Sequence, residues 1–581
     1  MTAEKKVFVR KATGLVREIG AVTAILIILC NTIGLGWQKR IFQFSGMAPL
    51  PQNLWLGGIN PMLMAFIIAG VIIFFSMLAV AILTTAMPRS GGGYVAISRL
   101  LSPFWAYFAS WFEFLSISWS FGIIAVAVFE AVYFIFGPIV GVTAAGVNDV
   151  VLFAGGLVLV LLFAAVACFG VRMTGLLLSV IFWIPAILTV YVLYLLVMSY
   201  ASPGALSSGI SMLAQAQGIA GVTADTYVKG ALAQGLDAAS IGNYWSAVSV
   251  AMIGAYWAYI GYAASSFVAG EIKETSKNIP RTLAIASVII IAVYLTVSSL
   301  AGYSAAALGR VTLPNGNTWS FLEAYAYLSY GGGNLVKAGV PAIKAWSSTI
   351  AAMTGIGLGL GSLNWLIFIF AVMWVANDIP PFILTASRLL FALAFDRVLP
   401  ASLANVNERF HAPVNAVIAT AVFGLLGVFS EAGVISTGGS WSPGGVIGGY
   451  LNSVFGSGVQ LTDFYDFIFF AIFTLALVVL PYRRPKIYET APFKLGGKTG
   501  VVLIGVIGTL GNFVGIYIMM TAPTYMFNFG AWPNMTADNW FCVGFTIAIA
   551  ILSYLVYAYY KYGPASKTVD YRTIFTEIPP E

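Results

Sequence analysis

Long apolar segments alternate with short polar connections along most of the chain. A helix needs about 20 apolar residues to cross a bilayer core about 30 Å thick, so each such segment predicts a membrane-spanning helix. The twelve predicted segments are 18–44, 61–87, 103–136, 148–170, 174–200, 244–270, 280–306, 358–395, 413–433, 461–481, 499–521 and 539–560. The pattern therefore predicts an all-α polytopic membrane protein.

Two of the predicted helices contain residues that interrupt a helix. Residues 30–37 place Gly34 and Gly36 beside Asn31 and Thr32, and residues 259–266 of the sixth segment place Gly261 among small residues. Glycine costs about 1 kcal/mol relative to alanine inside a helix. Unwound backbone at membrane depth persists only where it faces protein, a water-filled cavity or a ligand. The first interruption is therefore a candidate binding site.

The positions of the two interruptions suit a duplicated architecture. A lone glycine in a membrane helix usually serves close packing, whereas interruptions at corresponding positions of two halves point to the central site of a secondary transporter. We therefore predict two inverted repeats of five helices, followed by two more helices. The predicted units are a tail at 1–17, a ten-helix core at 18–481 with repeats at 18–200 and 244–481, a basic loop and two helices at 482–560, and a tail at 561–581.

Composition excludes a soluble protein and narrows the partners. The 581 residues are 60% hydrophobic and only 8% charged, which favours a lipid bilayer as the environment. The net charge of +7 comes from basic residues spread over many short loops, so it predicts topology and no nucleic-acid partner. The oligomeric state is left open by these features.

The distribution of basic residues predicts the orientation. If the N-terminus is cytoplasmic, the external loops 45–60, 137–147, 434–460 and 522–538 contain no Lys or Arg. By the positive-inside rule, both termini are expected in the cytoplasm and the protein in the cell membrane. The long external loops 201–243 and 307–357 have two interpretations, either solvated connectors or a cover over the outer mouth.

Cysteine and histidine are too sparse for redox or metal chemistry. The three cysteines lie in or beside separate apolar segments, and His411 is the single histidine. We therefore expect no disulfide, no metal site, no cofactor and no enzymatic activity.

Several stretches resemble the amino acid-polyamine-organocation (APC) superfamily, and within it the amino acid permease branch. They follow one another from about residue 14 to about residue 500. They are the interruption at 31–36, Met-Pro-Arg-Ser-Gly-Gly-Gly-Tyr at 87–94 with Ile-Ser-Arg at 97–99, Tyr-Ile-Gly-Tyr at 259–262, Lys-Asn-Ile-Pro-Arg at 277–281, and the segments 387–392, 396–400 and 412–416. The resemblance implies a LeuT-like fold, alternating access, and an amino acid bound between helices 1, 3, 6, 8 and 10.

The resemblance also implies which residues bind the substrate. Free N–H groups at the start of the second half of helix 1 favour a carboxylate, and carbonyls at the end of the first half of helix 6 suit an ammonium group. Tyr256, Trp257 and Tyr262 are candidates to close this site from outside, although aromatic residues in membrane helices more often serve packing. The predicted binding residues are Asn31, Thr32, Gly34, Leu35, Gly36, Trp37, Tyr259, Ile260, Gly261 and Tyr262.

Charged residues inside the apolar segments need partners or a function. Lys39 and Arg40 follow the first interruption and either receive an acidic group or pair with Glu113 or Glu130. We prefer the pairing, because two free cations would disfavour a substrate's ammonium group.

Asp378 precedes two prolines that are expected to kink helix 8. Three roles stay open for this carboxyl group. It can hold Na⁺, it can change its protonation state during transport, or it can pair with Lys39 or Arg40.

The coupling ion is also left open. Proton-driven relatives carry a lysine three residues before a proline in helix 5, whereas this chain has Phe182 at that distance from Pro185. Coupling to Na⁺, to a proton through Asp378 or Glu113, and ion-independent exchange are therefore all compatible with the sequence.

Five charged residues are predicted to lie near the cytoplasmic mouth. We expect them to form ion pairs that break when the mouth opens, with ordinary interfacial charge as the alternative. They are Arg89, Arg99, Glu271, Arg388 and Asp396.

The sequence as a whole predicts a secondary active transporter of amino acids or closely related small amines, working as a symporter or an exchanger. The main alternative is a nutrient receptor that keeps the fold without transport. A proton-conducting respiratory subunit is less suitable, because it would carry several lysines and acids in mid-membrane.

Overall fold

A computed structural model describes residues 14–142, 147–436, 461–523, 526–563 and 574–575 of the chain. Eleven helices in these ranges are long and apolar enough to cross a membrane. A twelfth, the sixth in chain order, is interrupted and too short in each part to be counted alone. The predicted all-α polytopic fold, with the first and sixth helices broken, is therefore confirmed.

The helices are numbered in chain order. They are α1a (Ala21–Thr32), α1b (Leu35–Met47), α2 (Pro61–Ala86), α3 (Pro103–Glu130, continued by π-helical Ala131–Phe136 and by Gly137–Val140), α4 (Asp149–Cys168), α5 (Val171–Ala201), α6a (Tyr244–Tyr259), α6b (Ala264–Phe267), α7 (Thr275–Ala306), α8a (Asn364–Ala376), α8b (Ile379–Phe395), α9 (Val414–Ser436), α10 (Thr462–Arg483), α11 (Gly497–Thr521) and α12 (Ala537–Tyr562).

Shorter elements connect these helices. They are the helices Gly93–Leu100, Pro203–Ala216, Ala224–Ala233, Phe321–Ala326, Ser347–Gly357 and Pro485–Thr490, the 3₁₀ turns Gln52–Leu54, Leu56–Gly58, Ala269–Glu271, Gly361–Leu363, Ala401–Ala404 and Phe529–Ala531, the π-helical turn Tyr327–Gly331, and the antiparallel strands β1 (Val311–Thr312) and β2 (Thr318–Trp319).

Local sequence explains where the long helices begin. The Asn60 side chain accepts a hydrogen bond from Met62 N at 2.8 Å, and Ser102 caps Trp105 N at 3.2 Å. Each cap is followed by a proline at the first helical position, where no backbone N–H is needed. The polar connections therefore set the ends of α2 and α3.

Helix α3 runs through the middle of the bundle, and small residues bring α9 close to it. A Cβ atom on Gly122 would lie 2.0 Å from the carbonyl oxygen of Gly424, so only glycine fits at this crossing. By contrast, outer helices expose large apolar side chains. Leu161 of α4, Ile187 of α5 and Leu555 of α12 are each more than half exposed. Such outward surfaces suit a multi-pass protein surrounded by lipid.

The two long loops predicted to be external are folded. The segment 307–357 packs onto α1b, where Ser347 Oγ donates to the Trp37 carbonyl at 3.1 Å and Ser348 Oγ donates to Gln38 Oε1 at 2.6 Å. Helix Pro203–Ala216 of the other loop packs against Ser347–Gly357. The interpretation of these loops as solvated connectors is therefore wrong, and a cover over the outer mouth stays a prediction.

Candidate functional site

The interruptions of α1 and α6 touch each other. Gly261 has a φ of +100°, which favours glycine, and a Cβ atom there would lie 2.1 Å from the Asn31 carbonyl oxygen. Both the backbone conformation and the contact therefore require glycine at this position. Gly261 and Asn31 are 230 residues apart in the sequence. The two unwound segments are therefore in direct contact inside the bundle.

A tyrosine of α7 joins the two interrupted helices. The Tyr294 hydroxyl lies 2.5 Å from the Thr32 carbonyl oxygen and 2.6 Å from the Ala258 carbonyl oxygen. These carbonyls belong to the last turns of α1a and α6a, where helices leave acceptors without intrahelical partners. Tyr294 is not among the residues predicted from the sequence, because a tyrosine in an apolar segment carries no local sign of such a role.

Asp378 occupies the other side of the first interruption. Its Oδ2 atom is 3.5 Å from Leu35 N at the start of α1b, and a Cβ atom on Gly34 would lie 2.0 Å from the same oxygen. The residue stands between α8a and α8b, at the kink predicted from the two prolines. Within the described ranges the ion pair of Lys39 is with Glu130, and the hydrogen bond of Asp378 is with Leu35 N, so of the three open roles the pairing with Lys39 is not the one seen.

A narrow cavity lies where α1, α3, α6 and α8 meet. Its volume is about 10 Å³, enough for about one water molecule and far too small for an amino acid. The structure is therefore closed around this point. The lining residues are Asn31, Thr32, Gly36, Ser120, Ile124, Trp257, Ala258, Ile260, Asp378 and Phe382.

Three predicted binding residues direct their side chains elsewhere. Trp37 packs edge-on against Phe370 of α8a, with ring centroids 5.3 Å apart. The Tyr259 hydroxyl donates to the Phe66 carbonyl in α2 at 3.3 Å. The Tyr262 ring packs against Phe470 of α10. These aromatic side chains serve packing, which leaves only their backbone groups as candidates for ligand contact.

The cavity-lining residues of α3 and α8b are not among the binding residues predicted from the sequence. Ser120, Ile124 and Phe382 lie on helices that the family resemblance placed at the site, but no local pattern distinguishes them from neighbouring residues. Their position depends on how each helix is rotated about its axis, and this rotation is set by packing between helices.

The end of the molecule that contains Glu130 is the predicted external side, and we name it the outer end. Glu130 Oε2 is 2.7 Å from Lys39 Nζ, and Glu130 Oε1 is 3.3 Å from Lys344 Nζ. The preferred pairing of Lys39 with Glu130 is thus present in the structure. Burial lowers the pKa of the Lys344 ammonium group, and the Glu130 carboxylate opposes this shift.

Arg40 lies over an aromatic ring instead of joining the acids of α3. Its guanidinium carbon is 3.8 Å from the centre of the Trp257 ring, and it donates to Gln43. This distance allows a cation–π interaction. Because Trp257 also lines the cavity, Arg40 and Trp257 lie together at its edge, and closure of the site from outside by Trp257 stays a prediction.

Glu113 has a different partner from the one predicted. Its carboxyl group lies against that of Asp466 in α10, away from Lys39 and Arg40. Tyr256 also faces this place, because its hydroxyl donates to Asp466 Oδ2 at 2.9 Å. Of the two acids considered as partners for the helix 1 cations, Glu130 is thus the one that Lys39 meets, and the Tyr256 hydroxyl is directed at α10.

The opposite end, which we name the inner end, holds the predicted ion pairs. Arg388 bonds to Glu271 through Nε at 2.9 Å and Nη2 at 3.0 Å. Arg99 bonds to Asp396 through two nitrogens, and Tyr94 donates to the same carboxylate at 2.9 Å.

Two further contacts complete the inner end. Arg89, the fifth predicted residue, donates to the Pro88 carbonyl at 2.9 Å. A short parallel bridge ties Ile19, just before α1a, to the segment around Glu271. Ile19 N donates to the Glu271 carbonyl, and Lys273 N donates to the Ile19 carbonyl, both at 2.9 Å.

Taken together, the fold defines an all-α polytopic protein of the transporter type, with two interrupted helices meeting beside a closed central cavity. The family model described as "Amino acid permease" matches residues 19–547, so the chain belongs to the amino acid permease family of the APC superfamily. A search of curated proteins finds no match.

Proposed function

We propose that the protein is a secondary active transporter that moves amino acids, or closely related small amines, across the cell membrane by alternating access. The observation that carries the proposal is the contact between the two interrupted helices, sealed at both ends by ion pairs. A transporter must alternately open each end of such a central site. The family assignment supports a membrane transporter of amino acids.

The substrate site in this proposal is the cavity between α1 and α6. Carbonyls of Ile260, Gly261 and Tyr262 accept hydrogen bonds from the substrate's ammonium group. The N–H groups of Gly36 and Trp37, in the first turn of α1b, receive its carboxylate. Asn31, Thr32, Gly34, Leu35 and Tyr259 complete the predicted set.

Asp378 sets a condition on the substrate's charge. Its carboxyl group already faces Leu35 N, where a substrate carboxylate would approach. Two carboxylates in contact repel each other, so an amino acid reaches this N–H only when Asp378 is protonated or turned away. A small amine without a carboxylate has no such requirement, which is why both substrate classes belong to the proposal.

Transport in this proposal requires the closed cavity to expand. Moving Trp257 and Arg40 opens it toward the outer end, and separating Arg388 from Glu271 opens it toward the inner end. Both termini are cytoplasmic in the proposed orientation. Na⁺ and H⁺ are the candidate coupling ions, with exchange as the ion-independent mode.

The decisive experiment is uptake into proteoliposomes containing the purified full chain. Radiolabelled amino acids and their decarboxylated amines are offered with the same compound inside, so that exchange is detected without any ion gradient. Saturable exchange of at least one compound is expected. Saturable binding without flux would contradict transport and support the nutrient receptor.

Gly36→Leu tests the location of the site. A Cβ atom on Gly36 would lie 2.6 Å from Ala258 Cβ, so leucine fills the junction between the interrupted helices, and exchange is expected to be lost. The matched control is Gly544→Leu, because nothing lies within 4 Å of a Cβ atom at that exposed position of α12. Equal substrate affinity in both variants would remove the junction from the proposal.

A further inference from the structure

Beside α6a, two acidic side chains meet in the interior. Glu113 of α3 and Asp466 of α10 are 2% and 1% exposed, and their carboxyl groups are in contact. Among the described residues, no lysine or arginine forms an ion pair with either of them, whereas Glu130, Glu271 and Asp396 are all paired.

The hydrogen bonds of the pair leave one donor missing. Asp466 Oδ2 accepts the Tyr256 hydroxyl, but Asp466 Oδ1 and Glu113 Oε2 are buried and have no donor. An ionised carboxylate only accepts hydrogen bonds, and a buried acceptor without a donor is costly. One proton placed between the two carboxyl groups supplies the donor and removes one of two adjacent negative charges.

The side chains that surround the pair on the neighbouring helices are mostly neutral. From α6 come the neutral phenols Tyr256 and Tyr262, and from α2 and α11 come Ser76 and Asn512, whose Nδ2 atom donates to Ser76 Oγ at 3.0 Å. The nearest further acid is Asp463, one turn earlier in α10. The charge of Arg40 acts on this Asp463.

We propose that Glu113 and Asp466 form a proton-binding site, and that the proton bound there is transported together with the substrate. This inference rests on the proposed function and names its coupling ion. The path between the two sites is short. Tyr256, which binds Asp466, is followed directly by Trp257, which lines the cavity, and both belong to the last turn of α6a.

The step is a simple proton transfer without redox chemistry. With the proton bound, the pair carries one negative charge, and Tyr256 holds α6a against α10. When the proton leaves to water at the other side of the membrane, the pair carries two negative charges in a poorly hydrated place. The carboxyl groups then separate, and the Tyr256 contact changes with them. The position of α6a therefore depends on whether the proton is bound to the pair.

The test measures exchange and gradient-driven accumulation on the same proteoliposomes. Asp466→Asn and Glu113→Gln keep the size of each side chain but remove the titrating carboxyl group, and Tyr256→Phe removes only the hydrogen bond to α6a. Asp149→Asn, at another buried acid in the first turn of α4, is the matched control. A trapped pH-sensitive dye follows substrate-dependent proton movement.

Wild type and Asp149→Asn are expected to accumulate substrate under a pH gradient and to move protons with it. Asp466→Asn and Glu113→Gln are expected to retain exchange but to lose accumulation and proton movement by about tenfold or more, within the usual range of coupling between sites. Tyr256→Phe is expected to retain exchange and to lose part of the accumulation.

Three results would overturn the inference. The first is full pH-driven accumulation by both acid variants. The second is accumulation by wild type under a Na⁺ gradient alone, or under no gradient at all. The third is loss of exchange together with accumulation in both acid variants, which makes the pair structural. Absence of exchange in wild type is a separate outcome, because it ends the proposed function and this inference with it.

Discussion

The two ends of the molecule are closed by ion pairs of different construction. At the inner end each cation has its own acid, and the Arg388 and Glu271 side chains are 0% and 1% exposed. At the outer end Glu130 serves both Lys39 and Lys344, and the Lys344 side chain keeps 10% exposure. The inner pairs belong to the bundle and the connections beside it, whereas Lys344 belongs to the folded loop 307–357.

This difference leads to an expectation about opening. Separating a fully buried one-to-one pair leaves two uncompensated charges. Lys344, by contrast, can leave Glu130 with its loop while Lys39 stays in place. We therefore expect the outer end to open at a lower free-energy cost than the inner end, and the following predictions test that expectation.

The largest effect is expected from Arg388→Met. It leaves Glu271 buried without its partner, which should lower the free energy of unfolding by about 3–5 kcal/mol. Thermal unfolding of the purified protein measures the loss. The double variant Arg388→Met/Glu271→Met should regain most of it, because no unpaired charge is left. A double variant as unstable as the single one would contradict an electrostatic origin.

The next effect is expected from Glu130→Gln. Two lysines then lose their shared carboxylate, and a cost of about 3 kcal/mol is expected, at the low end of the range for buried pairs because both lysines keep slight exposure. Glu274→Gln, at an exposed pair with Lys277, is the matched control. An effect larger than that of Arg388→Met would reverse the ranking of the two ends.

Lys344→Met should cost only about 1 kcal/mol, because the Lys39–Glu130 pair remains. The loop 307–357 should nevertheless be cut faster by a protease, since it loses one of its attachments to the bundle. Lys337→Met, at an exposed lysine of the same loop, is the control. Equal proteolysis of the two variants would show that Lys344 does not hold the loop.

The last prediction concerns the pH dependence of stability and the loop 307–357. Burial raises the pKa of Glu323 to about 6, although Ser320 donates to its carboxylate through N at 3.0 Å and Oγ at 2.5 Å. The folded protein then binds more protons than the unfolded chain between about pH 4.5 and 6, so stability falls as pH rises through this window, by at most about 2 kcal/mol.

Glu323→Gln removes the cost of burying an ionised carboxylate above about pH 6 and keeps an acceptor for Ser320. The melting temperature of the variant should therefore exceed that of wild type at pH 7 and approach it at pH 4.5. A constant difference between the two proteins across this range would refute the role of Glu323 in the pH dependence.

Much of the architecture follows from local sequence. Apolar length predicts the helices, and the match to the amino acid permease family confirms the resemblance drawn from the ordered motifs. Glycines at 34, 36 and 261 mark both interruptions, because helix propensity and backbone satisfaction act within a few residues. These signals are strong inside a membrane, since unwound backbone cannot face the hydrocarbon of the bilayer.

The partners of the buried acids across the bundle do not follow from local sequence. Glu113, Glu130 and Asp378 look alike in the sequence, as acids inside or beside apolar segments, yet one meets Asp466, one holds two lysines and one faces the start of α1b. Which of these happens depends on the rotation and axial position of each helix against its neighbours. No single segment contains that information, because interhelical packing involves residues hundreds of positions apart. The sequence alone thus determined the twelve helices and their two interruptions, while only the tertiary structure decided the partners of the buried charges.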